Sequence, residues 1–232
     1  MTERNWNVFF LIYDNVEVLD FTGPFDVFSM TNVALSLGGT PHTPFTLRTV
    51  APTQDIVTAI HGLRIVPDHG IADCPIEDID LLIVPGGMPE DILDFAEKHP
   101  EVLDWIIKAH QNTQITASVC IGALLLAQAN ARPAGGFLDG LKMTTHAGYI
   151  KTLEKLLPKT TVIPGARYVD NFGAGCATDH PVIAASAGVS AGLDLSFHLL
   201  RHLLGPEAAT KTQQRMEYNS TLDFVYDGLQ FS

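Results

Sequence analysis

The sequence predicts an α/β protein built on a mainly parallel sheet with helices on both faces. Three observations carry this expectation. Strand-like and helix-like stretches alternate along almost the whole chain. Residues 7–13 (Asn-Val-Phe-Phe-Leu-Ile-Tyr) are apolar without alternation, as a parallel strand covered on both faces requires. Residues 115–129 pass from a β-branched, apolar run straight into one rich in Ala and Leu, leaving Cys120 and its neighbours to make the turn.

In chain order, Asp14-Asn15 breaks the first strand, and a loop then enters a helix near Thr22 or Gly23, with Pro24 in its first turn. Residues 37–44 form a Gly/Pro loop, and residues 45–51 alternate well enough for a second strand. Residues 55–69 read as a hairpin or two short strands, turning at His61-Gly62. Residues 80–87 form a strand ending on Pro85-Gly86-Gly87, and helices follow over 89–98 and 100–111, the second begun by Pro100 with Glu101 beside the helix dipole. After the Cys120 strand and helix come a Gly/Pro loop over 132–140, a short strand over 142–146 and a helix over 149–157. Strand candidates at 162–163, 166–170 and 182–188 precede a helix over about 190–204 and a last one over 206–217. One domain spans residues 1–232.

Composition excludes several function classes. A formal net charge of −12 is wrong for nucleic acid or anionic membranes, where clustered Lys and Arg are needed. The chain has no uninterrupted apolar run of about 18 residues, so no membrane span is expected. The N-terminus has no secretory signal pattern, and three cysteines, Cys74, Cys120 and Cys176, suit a reducing cytoplasm better than a disulfide scaffold.

A strand–cysteine–helix turn lifts the side chain clear of the sheet and points backbone N–H groups at whatever it attacks. Gly122 lets the backbone turn sharply there. A cysteine so placed is expected to have a depressed pKa and to be a usable thiolate; the alternative is a small buried hydrophobe. Ligands of open α/β sheets bind beyond the carboxyl ends of the strands, and that edge gathers Asp20, Gly86-Gly87 and Cys120. Cys74 with Asp73 and His69 matches no metal-ligand spacing, nor do Cys176 and His180. His198 and His202 lie four apart without the Glu of a zinc-protease helix and read as packing or surface residues. No metal is expected.

Four ordered motifs, Asp20-Phe21-Thr22-Gly23-Pro24-x-x-Val27-Phe28, Ile83-Val84-Pro85-Gly86-Gly87, Ser118-Val119-Cys120-x-Gly122-Ala123 and Thr144-Thr145-His146, make residues 7–217 resemble the ThiJ/PfpI superfamily of class I glutamine-amidotransferase-like domains. Within it they are similar to the isocyanide hydratases and to the amidase-like sensor domains of AraC-type regulators. The resemblance implies a flavodoxin-like three-layer sandwich, a nucleophilic Cys120, and a homodimer. It places Asp20 beside the thiol, where apolar neighbours would raise its pKa and let it donate a proton at neutral pH; a helix N-terminal carboxylate is the alternative. It also points the N–H groups of Gly87 and Ile121 at the reacting centre, although Pro-Gly-Gly is an ordinary turn in other settings. His146 could orient the thiol or be structural.

Two positions depart from the hydratase pattern. Ile121 stands where that branch has Thr, keeping the backbone donor and losing a hydroxyl. Residues 171–181 are longer than a short turn and read as an inert insertion, with a substrate loop as the alternative. The reaction implied is hydration of an isocyanide to an N-formamide without metal or organic cofactor. Cys120 attacks the terminal carbon, Asp20 supplies the proton, a thioimidate forms, and ionised Asp20 then activates water. Alternatives are amidase or glyoxalase-like chemistry at a carbonyl, or a ligand or redox sensor. No helix-turn-helix module follows the last helix, so DNA binding by this chain is not expected.

Overall fold

The structure, a computed structural model, describes residues 4–39, 42–173 and 181–219. A seven-stranded sheet runs in the order β10-β11-β7-β6-β1-β2-β5, every neighbouring pair parallel except the antiparallel pair β10–β11. Its strands are β1 (Trp6–Leu11), β2 (Phe45–Ala51), β5 (His69–Gly70), β6 (Leu81–Val84), β7 (Ile115–Ser118), β10 (Tyr168–Asp170) and β11 (Val182–Ser186). Two small pairs stand apart: β3 (Val57–Thr58) with β4 (Arg64–Ile65), and β8 (Lys142–Met143) with β9 (Thr161–Val162). Helices α1 (Val18–Leu37), α6 (Ala191–Leu204) and α7 (Pro206–Arg215) pack together as one layer. The other layer holds α2 (Pro89–Lys98), α3 (Pro100–Asn112), α4 (Gly122–Asn130) and α5 (Ile150–Leu156). The expected α/β sandwich with its mainly parallel sheet is therefore present.

Central strands carry the core because both of their faces are covered. Phe10, Leu11, Leu82, Val84 and Ala117 are all buried, and β1 is held between β2 and β6 with Val8 opposite both Leu47 and Leu81. Proline opens α2, α3 and α7 at their first turns, where its missing N–H costs nothing. The hairpin turns at His61, whose φ of 64° precedes Gly62 at 94°. The two-residue strand β5, which extends the sheet edge beside β2, has no counterpart in the sequence reading.

Helix α1 begins earlier than the sequence suggests. It starts at Val18, capped by the Glu17 carboxylate accepting the Leu19 N–H at 3.4 Å, and Pro24 lies well inside it. There it forfeits the hydrogen bond that its N–H would have made to the Asp20 carbonyl one turn back. Asp20 is thus on a helix, not in a loop. It lies in a buried stripe with Pro24, Val27 and Thr31, spaced as one face of a helix. That periodicity carries a carboxyl into the interior.

No described helix is long and apolar enough to cross a membrane. Cys176, His180 and most of the 171–181 segment lie outside the described residues.

Candidate active site

The strand β7 ends at Ser118, and Cys120 turns the chain with φ 57°, a left-handed conformation costly for a residue with a side chain. Three contacts hold it there. The Cys120 N–H donates to Ala187 O at 3.1 Å, the Thr145 hydroxyl donates to Cys120 O at 2.8 Å, and Val119 N–H donates to Val84 O at 3.0 Å. Gly122 begins α4 so close to the neighbouring strand that a Cβ would lie 2.1 Å from Val84 O. Only glycine fits, and the elbow is over-determined by its surroundings.

Facing the elbow is the Pro85-Gly86-Gly87 turn. The Tyr13 hydroxyl donates to Pro85 O at 2.9 Å, and the Gly86 N–H donates to Asp20 Oδ2 at 2.9 Å. A Cβ on Gly86 would stand 2.9 Å from Asp20 Oδ2 and from Ile121 N, while one on Gly87 would stand 2.6 Å from Asn15 O. The two glycines therefore let the first loop, the carboxyl and the elbow close on one another. It is Gly86 whose N–H engages the carboxyl; Gly87 bridges to Val16.

Asp20 is fully buried, and its Oδ1 has no hydrogen-bond partner among the described residues. Burial raises its pKa from 3.8 to about 7, offset by the Gly86 N–H, raised further by Glu17 and lowered by the Cys120 thiol. The expectation of a proton-bearing carboxyl at neutral pH agrees with this environment.

The expectation of a depressed thiol pKa does not. Cys120, only 7% exposed, is pushed up to about 12, first by burial and then by the Asp20 carboxylate. The N–H groups of Val189 and Ile121 pull the other way without overcoming them. An elbow and a helix N-terminus favour a thiolate in water-facing sites; here desolvation and a neighbouring negative charge win. At neutral pH the resting group is therefore a thiol.

Ile121 is at the start of α4, as expected, and its N–H points at the sulfur. Val189, whose N–H does the same, was missed in the sequence. It follows β11 at the same sheet edge with φ 46°, and its only sequence signal is Gly188 after an apolar strand. Glu17, Tyr13 and Tyr149 were missed as well. Glu17 raises the pKa of both Asp20 and Cys120, while burial first, then Asp20 for Tyr13 and Glu90 for Tyr149, raises those of the two tyrosines, with Cys120 a smaller cause. His146 packs over Gly188, where a Cβ would meet its Cδ2 at 2.3 Å, and its Nδ1 accepts the Gly148 N–H at 3.1 Å. Burial lowers its pKa, so it is neutral at pH 7. Cys74 is buried, and burial with Glu77 and Asp78 pushes it to about 12, as suits a structural thiol.

A cysteine on a strained elbow at the carboxyl edge of a parallel sheet, met by a buried carboxyl, defines the class of this α/β protein. The chain belongs to the DJ-1/PfpI family, whose pattern matches residues 6–202. It is 30% identical over 210 residues to an isonitrile hydratase of Pseudomonas putida, covering 90% of this chain and 77% of that one. The crystal structure of a ThiJ/PfpI family protein from Pseudomonas syringae superposes with a TM-score of 0.74 at 25% identity, covering 97% of this chain and 79% of the other. That of an AraC family transcriptional regulator from Pseudomonas putida gives 0.66 at 20% identity over 91% and 99% of the two chains, a likeness of fold.

Proposed function

We propose that the protein hydrates an isocyanide, R–N≡C, to the formamide R–NH–CHO, with Cys120 as nucleophile and Asp20 as the acid–base group. One observation carries the reading: a fully buried Asp20 carboxyl poised at about 7 beside a thiol held at about 12. Ionised Asp20 takes the thiol proton as sulfur bonds to the terminal carbon. It returns that proton to the same carbon, giving the thioimidate R–N=CH–S–Cys120. Asp20, ionised again, deprotonates the attacking water, whose oxygen bonds to the carbon. The proton passes to nitrogen, the C–S bond breaks, and the sulfur leaves and is reprotonated from the oxygen of the adduct, whose carbonyl forms. Water is the only co-reactant consumed. The Ile121 and Val189 N–H groups stabilise negative charge on the sulfur as it leaves, and Gly87 is retained as a further positioning group.

Amidase or glyoxalase-like chemistry at a carbonyl is the alternative, and dependence of activity toward small aldehydes on His146 would favour it. A redox-sensing role is disfavoured, since a thiol at about 12 is a slow target for oxidants. We further propose a cytoplasmic homodimer acting on a small molecule. The test is incubation with alkyl and aryl isocyanides: formamide should accumulate with the wild-type protein and not with Cys120→Ser. Absence of turnover across the panel rejects the reading.

A further inference from the structure

We propose that Asp170, His198 and His202 form a binding site for a divalent transition-metal ion of the zinc type, separate from the Cys120 elbow. His198 and His202 are one turn apart on α6, so their imidazoles share a face, with ring centroids 4.7 Å apart. The carboxylate comes from β10, on the sheet edge against which that face packs. Asp170 Oδ2 lies 2.6 Å from His198 Nε2, and one ligand atom from each of the three residues falls within 4.8 Å of the others. Zinc bonds of about 2.0–2.2 Å set tetrahedral donors about 3.4 Å apart, so the 2.6 Å His198–Asp170 pair must open by less than about 1 Å and the His202 nitrogen must move in. The exposed His202 can supply that movement by rotation of its side chain.

The supporting contacts orient these donors. The Phe172 N–H donates to Asp170 Oδ1 at 2.9 Å, leaving Oδ2 turned to the histidines. The Phe172 ring stacks on His202 at 4.1 Å and 13°, and Tyr168 lies 4.6 Å from His198. Arg201, the nearby cation on the same helix, donates instead to Gln213 on α7 at 3.4 Å. Two imidazoles and one carboxylate suit zinc or a neighbouring first-row ion rather than magnesium or calcium, which take oxygen ligands. Three protein ligands leave a coordination position for water on the exposed His202 side. On binding, the ion takes the place of the proton between His198 Nε2 and Asp170 Oδ2, and the neutral imidazole carries its N–H on Nδ1. The site would tie the three-residue edge strand β10 to α6. It lies two to three helical turns along α6 from Ala191, beside the elbow, about 10–16 Å away at 1.5 Å per residue.

The test titrates the metal-free full chain with Zn²⁺ by calorimetry and with Co²⁺ by visible absorption. Wild type should bind one equivalent, with cobalt d–d bands of a low-coordinate nitrogen/oxygen site and a thermal midpoint that rises with zinc. Asp170→Asn and His202→Ala should each weaken binding by at least about tenfold, the lower end of what the loss of a mere outer-sphere partner costs. His202→Ala removes an exposed ring, so its fold is expected to persist and circular dichroism checks it. No binding by wild type, undiminished binding in both variants, or a sulfur-to-cobalt charge-transfer band would each overturn the proposal.

Discussion

Asp20 and Cys120 lie buried together: burial first and the Asp20 carboxylate second raise the thiol to about 12, and burial holds the carboxyl itself at about 7. Two adjacent negative charges are unfavourable in the interior, so the pair keeps at least one proton over the physiological range. In the proposed reaction that proton would move between sulfur, carboxyl and a bound carbon without solvent.

Replacing the carboxyl separates its two roles. Asp20→Asn should lower isocyanide turnover by about 10²–10⁴-fold, the usual size of an acid–base contribution. The same change removes a charge that raises the thiol pKa, so alkylation of Cys120 by iodoacetamide should reach its half-maximal rate at lower pH. Kinetics and alkylation pH profiles measure the two effects on one variant.

The same carboxyl makes stability depend on pH. Its folded pKa is raised above its unfolded one, so between about 4 and 7 the native state holds the proton more tightly and stability falls as pH rises. Lifting it from 3.8 to about 7 corresponds to a penalty on the order of 4 kcal/mol once both states are ionised. Urea unfolding at pH 8 should find Asp20→Asn more stable than wild type, and the gain should shrink or reverse near pH 4.

Gly122→Ala should destabilise the fold by about 3–5 kcal/mol. Its methyl group would stand 2.1 Å from Val84 O and 2.7 Å from Pro85 O, and backbone rather than a flexible side chain must give way. The urea midpoint measures this. An unchanged midpoint would mean that the elbow is looser than described.

Ile121→Thr restores the hydroxyl that the hydratase pattern places after the cysteine. A donor beside the sulfur should lower the thiol pKa and raise turnover of isocyanides. The loss of buried hydrocarbon at this fully buried position should cost about 1–3 kcal/mol. Alkylation profiles and unfolding curves together separate the gain from the cost.

What was legible in the sequence is what local rules control. Pro89, Pro100 and Pro206 mark the starts of α2, α3 and α7, the apolar run of β1 announces a covered strand, and Gly122 marks the elbow. Non-local relationships were not. Pro24 looked like a helix start because an interior proline is rare, yet Glu17 caps the helix two turns earlier. The thiol pKa followed the wrong sign because burial and the charge of Asp20 are set by packing across the sheet edge. His198 and His202 looked isolated because their carboxylate neighbour, Asp170, lies on another element and 28 positions from His198.

Intact-protein mass spectrometry after acid quenching tests the assignment of Cys120 as nucleophile most directly. During turnover of an aryl isocyanide, a fraction of the protein should gain the mass of one isocyanide, and peptide mapping should place it on the Cys120 sulfur. Formamide production with no such adduct, or an adduct confined to Cys74, would contradict the assignment.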